Sequence, residues 1–281
     1  MESNADNTLI DSLKNSTRIL ALIGAGLSRP SGLPTFRHEG SIWRGKPVSS
    51  MATRSAFAED PGLVWQFYES RRQMALRALP NRGHKALAEL ARAKPEFLAI
   101  TQNIDGLSER AGHLASNLAV LHGTLFTVTC FDPECTYSRS NHEMHPIVPQ
   151  LALPPWDITD PESILPPVAI EDLPHCPKCT TGLLRPGVVL FGDKLPTDCL
   201  DRIDAWFDDS SDIELMLVVG TSGRVFPAAE FIHRAAQKGA QIAVFNVEVE
   251  TDELEEGDWS VLGDASVSLP NLIGQALGIE I

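Results

Sequence analysis

Apolar residues in this chain fall into short, nearly unbroken runs, set between longer stretches of helical spacing. Ile19–Ile23 (ILALI), Phe97–Thr101 (FLAIT), Leu118–Leu121 (LAVL), Leu215–Val219 (LMLVV) and Gln241–Phe245 (QIAVF) are such runs, and a shorter one lies in WSVLGDAS. Runs without polar alternation predict strands covered on both faces, as in a parallel sheet. Between them, residues 7–17 read as a short amphipathic helix and 53–79 as helical, with Asp60-Pro61 as a turn and helix start. Asn81 begins a further helix, 197–209 form an acidic one, 228–238 another that Gly239 stops, and a helix closes the chain. Six strand-like runs alternating with helices predict an α/β fold with a doubly wound, parallel, Rossmann-like sheet.

Each run ends in residues suited to a ligand, which is where open α/β sheets bind one. Ile19–Ile23 breaks at Gly24-Ala25-Gly26, a turn that lets backbone N–H groups approach an anion at a helix start. A dehydrogenase fingerprint would place a third glycine at position 29, but Arg29 stands there. The turn runs on through Ser28, Gly32 and Pro34 to Phe36 and Arg37, then into the loop HEGSIWRGKPVSSM with Trp43. That loop is placed either to close over a ligand or to serve as plain connection. Phe97–Thr101 ends in Gln102-Asn103-Ile104-Asp105, which taken alone is an ordinary turn. Leu118–Leu121 ends in His122, one of eight histidines, and spacing does not single it out. The later runs end in Gly220-Thr221-Ser222 and Asn246-Val247-Glu248, and the last is followed by Asp264-Ala265.

Residues 124–187 differ in texture. Prolines cluster, periodicity is weak, and such a stretch can hardly pack a core of its own. It holds Cys130-x4-Cys135 and Cys176-x2-Cys179, four of the chain's five cysteines. Two close pairs of thiolates are a tetrahedral zinc site by type, against the alternative of four unrelated buried cysteines. Four cysteines leave no open coordination position, so the metal would be structural. Residues 136–175 are expected to be variable or mobile loop, and Cys199 to be a buried or helix residue.

Composition narrows the partners. With 23 Lys and Arg against 37 Asp and Glu, the net charge is −14 and the pI near 4.9. That argues against non-specific nucleic-acid binding and favours basic partners such as lysine-rich proteins, unless the charge serves solubility alone. No apolar run approaches a membrane span. Cysteines without a secretory pattern point to a reducing, intracellular setting. The N-terminus MESNADNTLIDSLKNSTR is neither a signal peptide nor an Arg-rich transit peptide, so cytoplasm or nucleus is the default, with the mitochondrion as the other option.

Tyr68 and Arg71 are three apart and share a helix face. A phenol beside a guanidinium makes a carboxylate receptor, although by spacing alone the pair reads as helix surface.

The string GAGLSRPSGLPTFR resembles the first NAD-binding motif of the sirtuins, a family of NAD-dependent protein lysine deacylases. TQNIDGL, VLHG and GTSGRVFPAAEF resemble further motifs in the family's order, over about residues 18 to 270. The resemblance implies that NAD, as co-substrate, is held by Gly24, Ala25, Gly26, Ser28, Pro34, Phe36, Arg37, Trp43, Gln102, Asn103, Ile104, Asp105, Gly220, Thr221, Ser222, Asn246, Val247, Glu248, Asp264 and Ala265. It implies that His122 is the catalytic base, aided by Asn103, and that Cys130, Cys135, Cys176 and Cys179 hold one structural zinc. The substrate peptide would pair with Val188, Val189, Leu190, Phe191 and Gly192 and meet Val225 on its other side. AFAEDPGLVWQFYESRRQ resembles the class III members, whose Tyr-x-x-Arg pair recognises acidic acyl groups. The expected activity is therefore removal of succinyl, malonyl or glutaryl groups from protein lysine, yielding nicotinamide and O-acyl-ADP-ribose. A plain deacetylase, a mono-ADP-ribosyltransferase or an NAD-sensing module are the alternatives. The expected division is a Rossmann-like domain of residues 1–37, 81–123 and 188–281, a helical cofactor and acyl-pocket segment of 38–80, and a zinc module of 124–187.

Overall fold

The computed structural model describes residues 2–35, 42–140, 145–209, 211–249 and 254–281, with backbone only for 2–6. Six parallel strands form the main sheet: β1 (Ile19–Ile23), β4 (Leu98–Thr101), β5 (Leu118–Val120), β9 (Leu215–Val219), β10 (Gln241–Asn246) and β11 (Trp259–Leu262). Their order is β11-β10-β9-β1-β4-β5, so the chain runs outward from β1 to one edge and then outward from β9 to the other. This is the doubly wound order, and the direction reverses between β1 and β9.

Both faces of the sheet are covered, which is why its strands read as unbroken apolar runs. Successive side chains of β1 point to opposite faces. Ile19, Ala21 and Ile23 join Leu9 and Leu13 of α1 (Glu2–Asn15), Leu87 and Leu90 of α5 (Arg82–Ala93), and Leu269 and Ile273 of α9 (Ala265–Leu277). Leu20 and Leu22 join Ile203 and Phe207 of α7 (Thr197–Asp208) and Phe231 and Ala235 of α8 (Glu230–Gln237). The helix expected at 228–238 begins at Glu230, after Ala228 and Ala229 in the preceding turn. The N-terminal helix reaches back to Glu2, beyond the expected start at residue 7.

A second body stands beside the sheet. The hairpin β2 (Ile42–Trp43) and β3 (Lys46–Pro47) leads into α2 (Val48–Met51), α3 (Arg54–Glu59) and α4 (Pro61–Arg77). Asp60 caps α4 by accepting from Leu63 N, with Pro61 in the first turn. After the short helix α6 (Leu107–Arg110) and strand β5, the chain enters β6 (Gly123–Cys130), β7 (Ser138–Ser140) and β8 (Leu184–Val188), a three-stranded antiparallel sheet.

The proline-rich insert does have a core, but a shared one. Ile147, Leu151, Ile158 and Leu173 are buried with Trp65, Phe67 and Tyr68 of α4 and with Leu125 and Val128 of β6. Gln66 Nε2 donates to Pro166 O at 2.7 Å, and Trp65 Nε1 to Leu184 O at 2.9 Å. The insert thus packs no core of its own, in line with its weak periodicity: its isolated apolar residues join those of a neighbouring helix and strand. No helix among the described residues is long and apolar enough to cross a membrane.

Candidate active site and zinc centre

The candidate residues follow the carboxyl ends of β1, β4, β5, β9 and β10, so the parallel sheet gathers them along one edge. Gly24-Ala25-Gly26 opens a 3-10 turn over Ala25–Ser31. Gly24 N donates to Val219 O and Gly26 N to Gly220 O, both at 2.8 Å. A Cβ on Gly24 would stand 2.6 Å from Thr221 Cβ, and one on Gly26 would stand 2.7 Å from Gly220 Cα. These glycines are therefore required by the contact of two strand ends as well as by any anion. Gln102 Nε2 reaches over this turn to Thr221 Oγ1 at 3.1 Å, and Asn246 Nδ2 donates to Thr221 O at 3.0 Å.

Ser28 is buried at the centre of a polar cluster. Its hydroxyl donates to Asp105 Oδ2 at 2.7 Å, and Asn103 Nδ2 donates to Ser28 Oγ at 3.3 Å and to Gly24 O at 3.0 Å. Asp105 Oδ1 accepts from Leu107 N at 2.9 Å. Burial raises the Asp105 carboxyl pKa, opposed by these two hydrogen bonds. His84 adds a residue that the sequence reading missed. Asn81 caps α5, its own N–H faces His84 Nδ1 at 3.3 Å, and Nε2 then faces Ser28 Oγ at 3.4 Å. Burial holds the His84 pKa down to about 4, so the ring is neutral near pH 7. The signal was present as Asn81-x-x-His84, a capping box with histidine in the third helical position.

His122 is half-buried at the end of β5. Its Nδ1–H donates to Gln102 O at 3.1 Å, which leaves Nε2 with the lone pair. Burial lowers its pKa below the ordinary histidine value, with the Gln102 carbonyl opposing. The geometry suits a general base.

Tyr68 is 5% exposed on α4. Burial holds its phenol well above the usual range, while Arg185 and Arg71 pull it back and Asp193 opposes them. The phenol is thus a neutral donor. Burial lowers the Arg71 pKa, opposed by Tyr68. Asp193 accepts from Arg185 Nη2 at 2.9 Å and pairs with Arg54 Nη1 at 3.3 Å. Two guanidiniums and one carboxylate therefore bear on Tyr68, a net positive balance inside an acidic protein. Arg185 and Asp193 were not read from the sequence, since nothing in their spacing links them to Tyr68.

The remaining candidates are placed unevenly. Phe36 and Arg37 lie outside the described residues. Trp43 is 2% exposed, with its ring packed on Phe67 of α4 at 5.4 Å. Val188 is buried and pairs with Gly123 in β8. The amides of Val189, Leu190 and Phe191 bond to His122 O, Asp193 Oδ2 and Ala52 O, so an added strand would use other main-chain groups here. Phe191, Gly192 and Val225 are exposed. Asp264 caps α9 through Ser266 N, and the Ala265 carbonyl lies against Gly83, beside Leu27 of the 3-10 turn. Val247 and Glu248 are exposed after β10.

The four cysteines converge. Their Sγ atoms all lie within 4.8 Å of one another, with Cys130–Cys179 and Cys135–Cys176 each at 3.7 Å. A tetrahedron of thiolates about 2.3 Å from zinc has edges of about 3.8 Å, so the donor set fits the metal. Burial raises the Cys130 thiol pKa, whereas the Gly182 amide lowers that of Cys179. Gly182 was also missed by the sequence reading: a Cβ there would lie 2.9 Å from Cys130 Sγ.

Residues 24–227 match a family model described as the Sir2 family. The chain is 38% identical to an NAD-dependent protein deacylase of Candida albicans, over 95% of this chain and 96% of that one. It is 40% identical to the NAD-dependent protein deacylase sirtuin-5, mitochondrial, of Danio rerio, over 82% of this chain and 74% of that one. A solved Sir2 homolog–NAD complex superposes with a TM-score of 0.77 at 34% identity, covering 97% of this chain and 94% of that one. A Sir2–p53 peptide–NAD+ complex gives 0.72 at 28%, covering 95% and 97%.

Proposed function

Because the chain belongs to the Sir2 family, with relatives named NAD-dependent protein deacylases, we propose that it deacylates protein lysine at the expense of NAD and prefers succinyl, malonyl and glutaryl groups to acetyl. The observation that carries the preference is the buried Tyr68, a neutral phenol on which Arg71 and Arg185 bear with a net positive balance. A carboxylate at the end of an acyl chain would find a hydroxyl donor and a planar fork there. An acetyl group has no carboxylate to offer either of them.

NAD, when bound, supplies an electrophilic sugar carbon and nicotinamide as leaving group. The chain's own part is to hold and to move protons. The 3-10 turn takes the diphosphate, its Gly24 and Gly26 amides being held by Val219 O and Gly220 O so that the turn keeps its shape; Ser28, Asn103 and Asp105 set the sugar and its neighbouring water; Asn246 takes the adenosine side. His122 Nε2 accepts a proton from a sugar hydroxyl and, as neutral imidazole, needs no prior deprotonation near pH 7. Cys130, Cys135, Cys176 and Cys179 would hold a zinc with no open coordination position, which suits a structural ion and not a catalytic one. The division expected from the sequence, with residues 1–37, 81–123 and 188–281 binding NAD, 38–80 lining the acyl pocket and 124–187 forming the zinc module, goes with this reading. The sirtuin-5 relative is named mitochondrial, and imaging of tagged protein tests whether this chain goes there or to the cytosol or nucleus.

The deciding experiment is steady-state deacylation of one peptide carrying acetyl-, succinyl- or malonyl-lysine, with and without NAD. Faster NAD-dependent turnover of the acidic groups is the expected result. Preference for acetyl would return Tyr68 and Arg71 to a structural role. No turnover of any peptide would favour ADP-ribosyl transfer or NAD sensing.

A further inference from the structure

The β2–β3 hairpin turns on Arg44-Gly45, with φ of 50° and 70°. Positive φ at both central residues is what a two-residue type I′ turn requires. Gly45 adopts it freely, but Arg44 carries a Cβ, and left-handed backbone is uncommon outside glycine. The strained position delivers a guanidinium into the loop 158–163 of the insert. Arg44 Nη1 donates to Ile158 O at 2.9 Å, Asp160 O at 2.8 Å and Ser163 Oγ at 3.0 Å. Nη2 donates to Pro161 O at 3.1 Å and to Ser163 O at 2.6 Å. The loop is thus a cage of carbonyls closed on one planar cation, a shape that arginine fills and lysine does not.

The residue before Arg44 is Trp43. Its ring meets Phe67 edge-on at 5.4 Å, and Phe67 meets Tyr68 edge-on at 4.8 Å. A continuous set of contacts therefore runs from loop 158–163 through Arg44, Trp43 and Phe67 to Tyr68. We propose that Arg44 is a positioning residue for acyl selectivity: by locking the hairpin to the insert it fixes the Trp43–Phe67 wall behind Tyr68. The inference rests on the reading that Tyr68 and Arg71 receive the acyl group. It makes the insert a determinant of specificity through atoms that bond Arg44.

Arg44→Gly tests this without straining the turn, since glycine prefers the observed φ and Gly-Gly is a good type I′ pair. kcat and KM are measured for succinyl- and acetyl-lysine forms of one peptide in wild type, Arg44→Gly and Arg44→Lys, with and without millimolar ethylguanidinium. Hydrogen exchange is followed in 42–47 and 158–163, with zinc content as control. The expected result is a succinyl-to-acetyl ratio of kcat/KM lowered about 10-fold, mostly through the succinyl KM, as small misplacements at a site produce. Ethylguanidinium restores part of it, Arg44→Lys restores little, exchange rises in both segments, and zinc is unchanged. An unaltered ratio, equal loss on both peptides, or unchanged exchange in 158–163 overturns the proposal. A wild type that prefers acetyl sinks the acidic-acyl reading by itself. In that case a raised acetyl KM together with faster exchange still supports the Arg44 role, and an unchanged KM or unchanged exchange ends it.

Discussion

At the scale of single residues, environment decides what each side chain can do. Arg71 and Tyr68 were visible as a spaced pair, but only the fold shows Tyr68 buried with Arg185 and Asp193 beside it. Arg71→Met removes a charge-assisted partner worth about 1.5–3 kcal/mol, so desuccinylation should fall about 10- to 100-fold while deacetylation changes little. Matched kcat/KM values for the two peptides check this, and equal losses count against the role. His122 was named through its motif alone; the structure supplies its tautomer and the direction of its pKa. A base works when unprotonated, so activity is lost as pH falls through the His122 pKa. That pKa is lowered by burial, and the acid limb of kcat/KM should lie below the ordinary value of about 6.5. A pH profile of the free enzyme measures it, and a limb above that value contradicts the assignment.

At the scale of elements, strands and caps were largely legible. Unbroken apolar runs gave β1, β4, β5 and β9, because strands covered on both faces carry no alternation. What the sequence hid was contact between elements distant along the chain. Gly24 and Gly26 were read as a phosphate turn, yet they also let that turn lie against Gly220 and Thr221. Gly24→Ala would drive a Cβ into Thr221 at 2.6 Å. It should cost about 1–3 kcal/mol, as overpacking does, and weaken NAD binding by spreading the two strand ends. Thermal unfolding and calorimetric titration with NAD check both effects, and an alanine variant with native Tm and affinity would contradict the tight contact. The cap of His84 was legible locally, but its contact with Ser28 and that of Arg44 with loop 158–163 were not, since those partners are remote in sequence.

For the whole molecule, the insert is the part least legible in advance. Its buried residues Ile147, Leu151, Ile158 and Leu173 follow no period, because they join a core shared with α4 and β6. The cysteine pairs were the exception, since ligand spacing is local. Stripping the metal with a chelator should release one zinc per chain and lower the Tm, because zinc-site energy is folding energy. Metal analysis alongside calorimetry checks this, and a stripped protein with native Tm would speak against a structural zinc. Gly123, where β6 begins, pairs with Val188, where β8 ends. The insert therefore leaves and re-enters the fold at a single seam, with His122 on one side and Val189, bonded to its carbonyl, on the other. In evolutionary terms that seam makes the insert a cassette: because its ends meet, length and charge can change between them while His122 stays in place, so long as the residues that share the α4 core remain apolar.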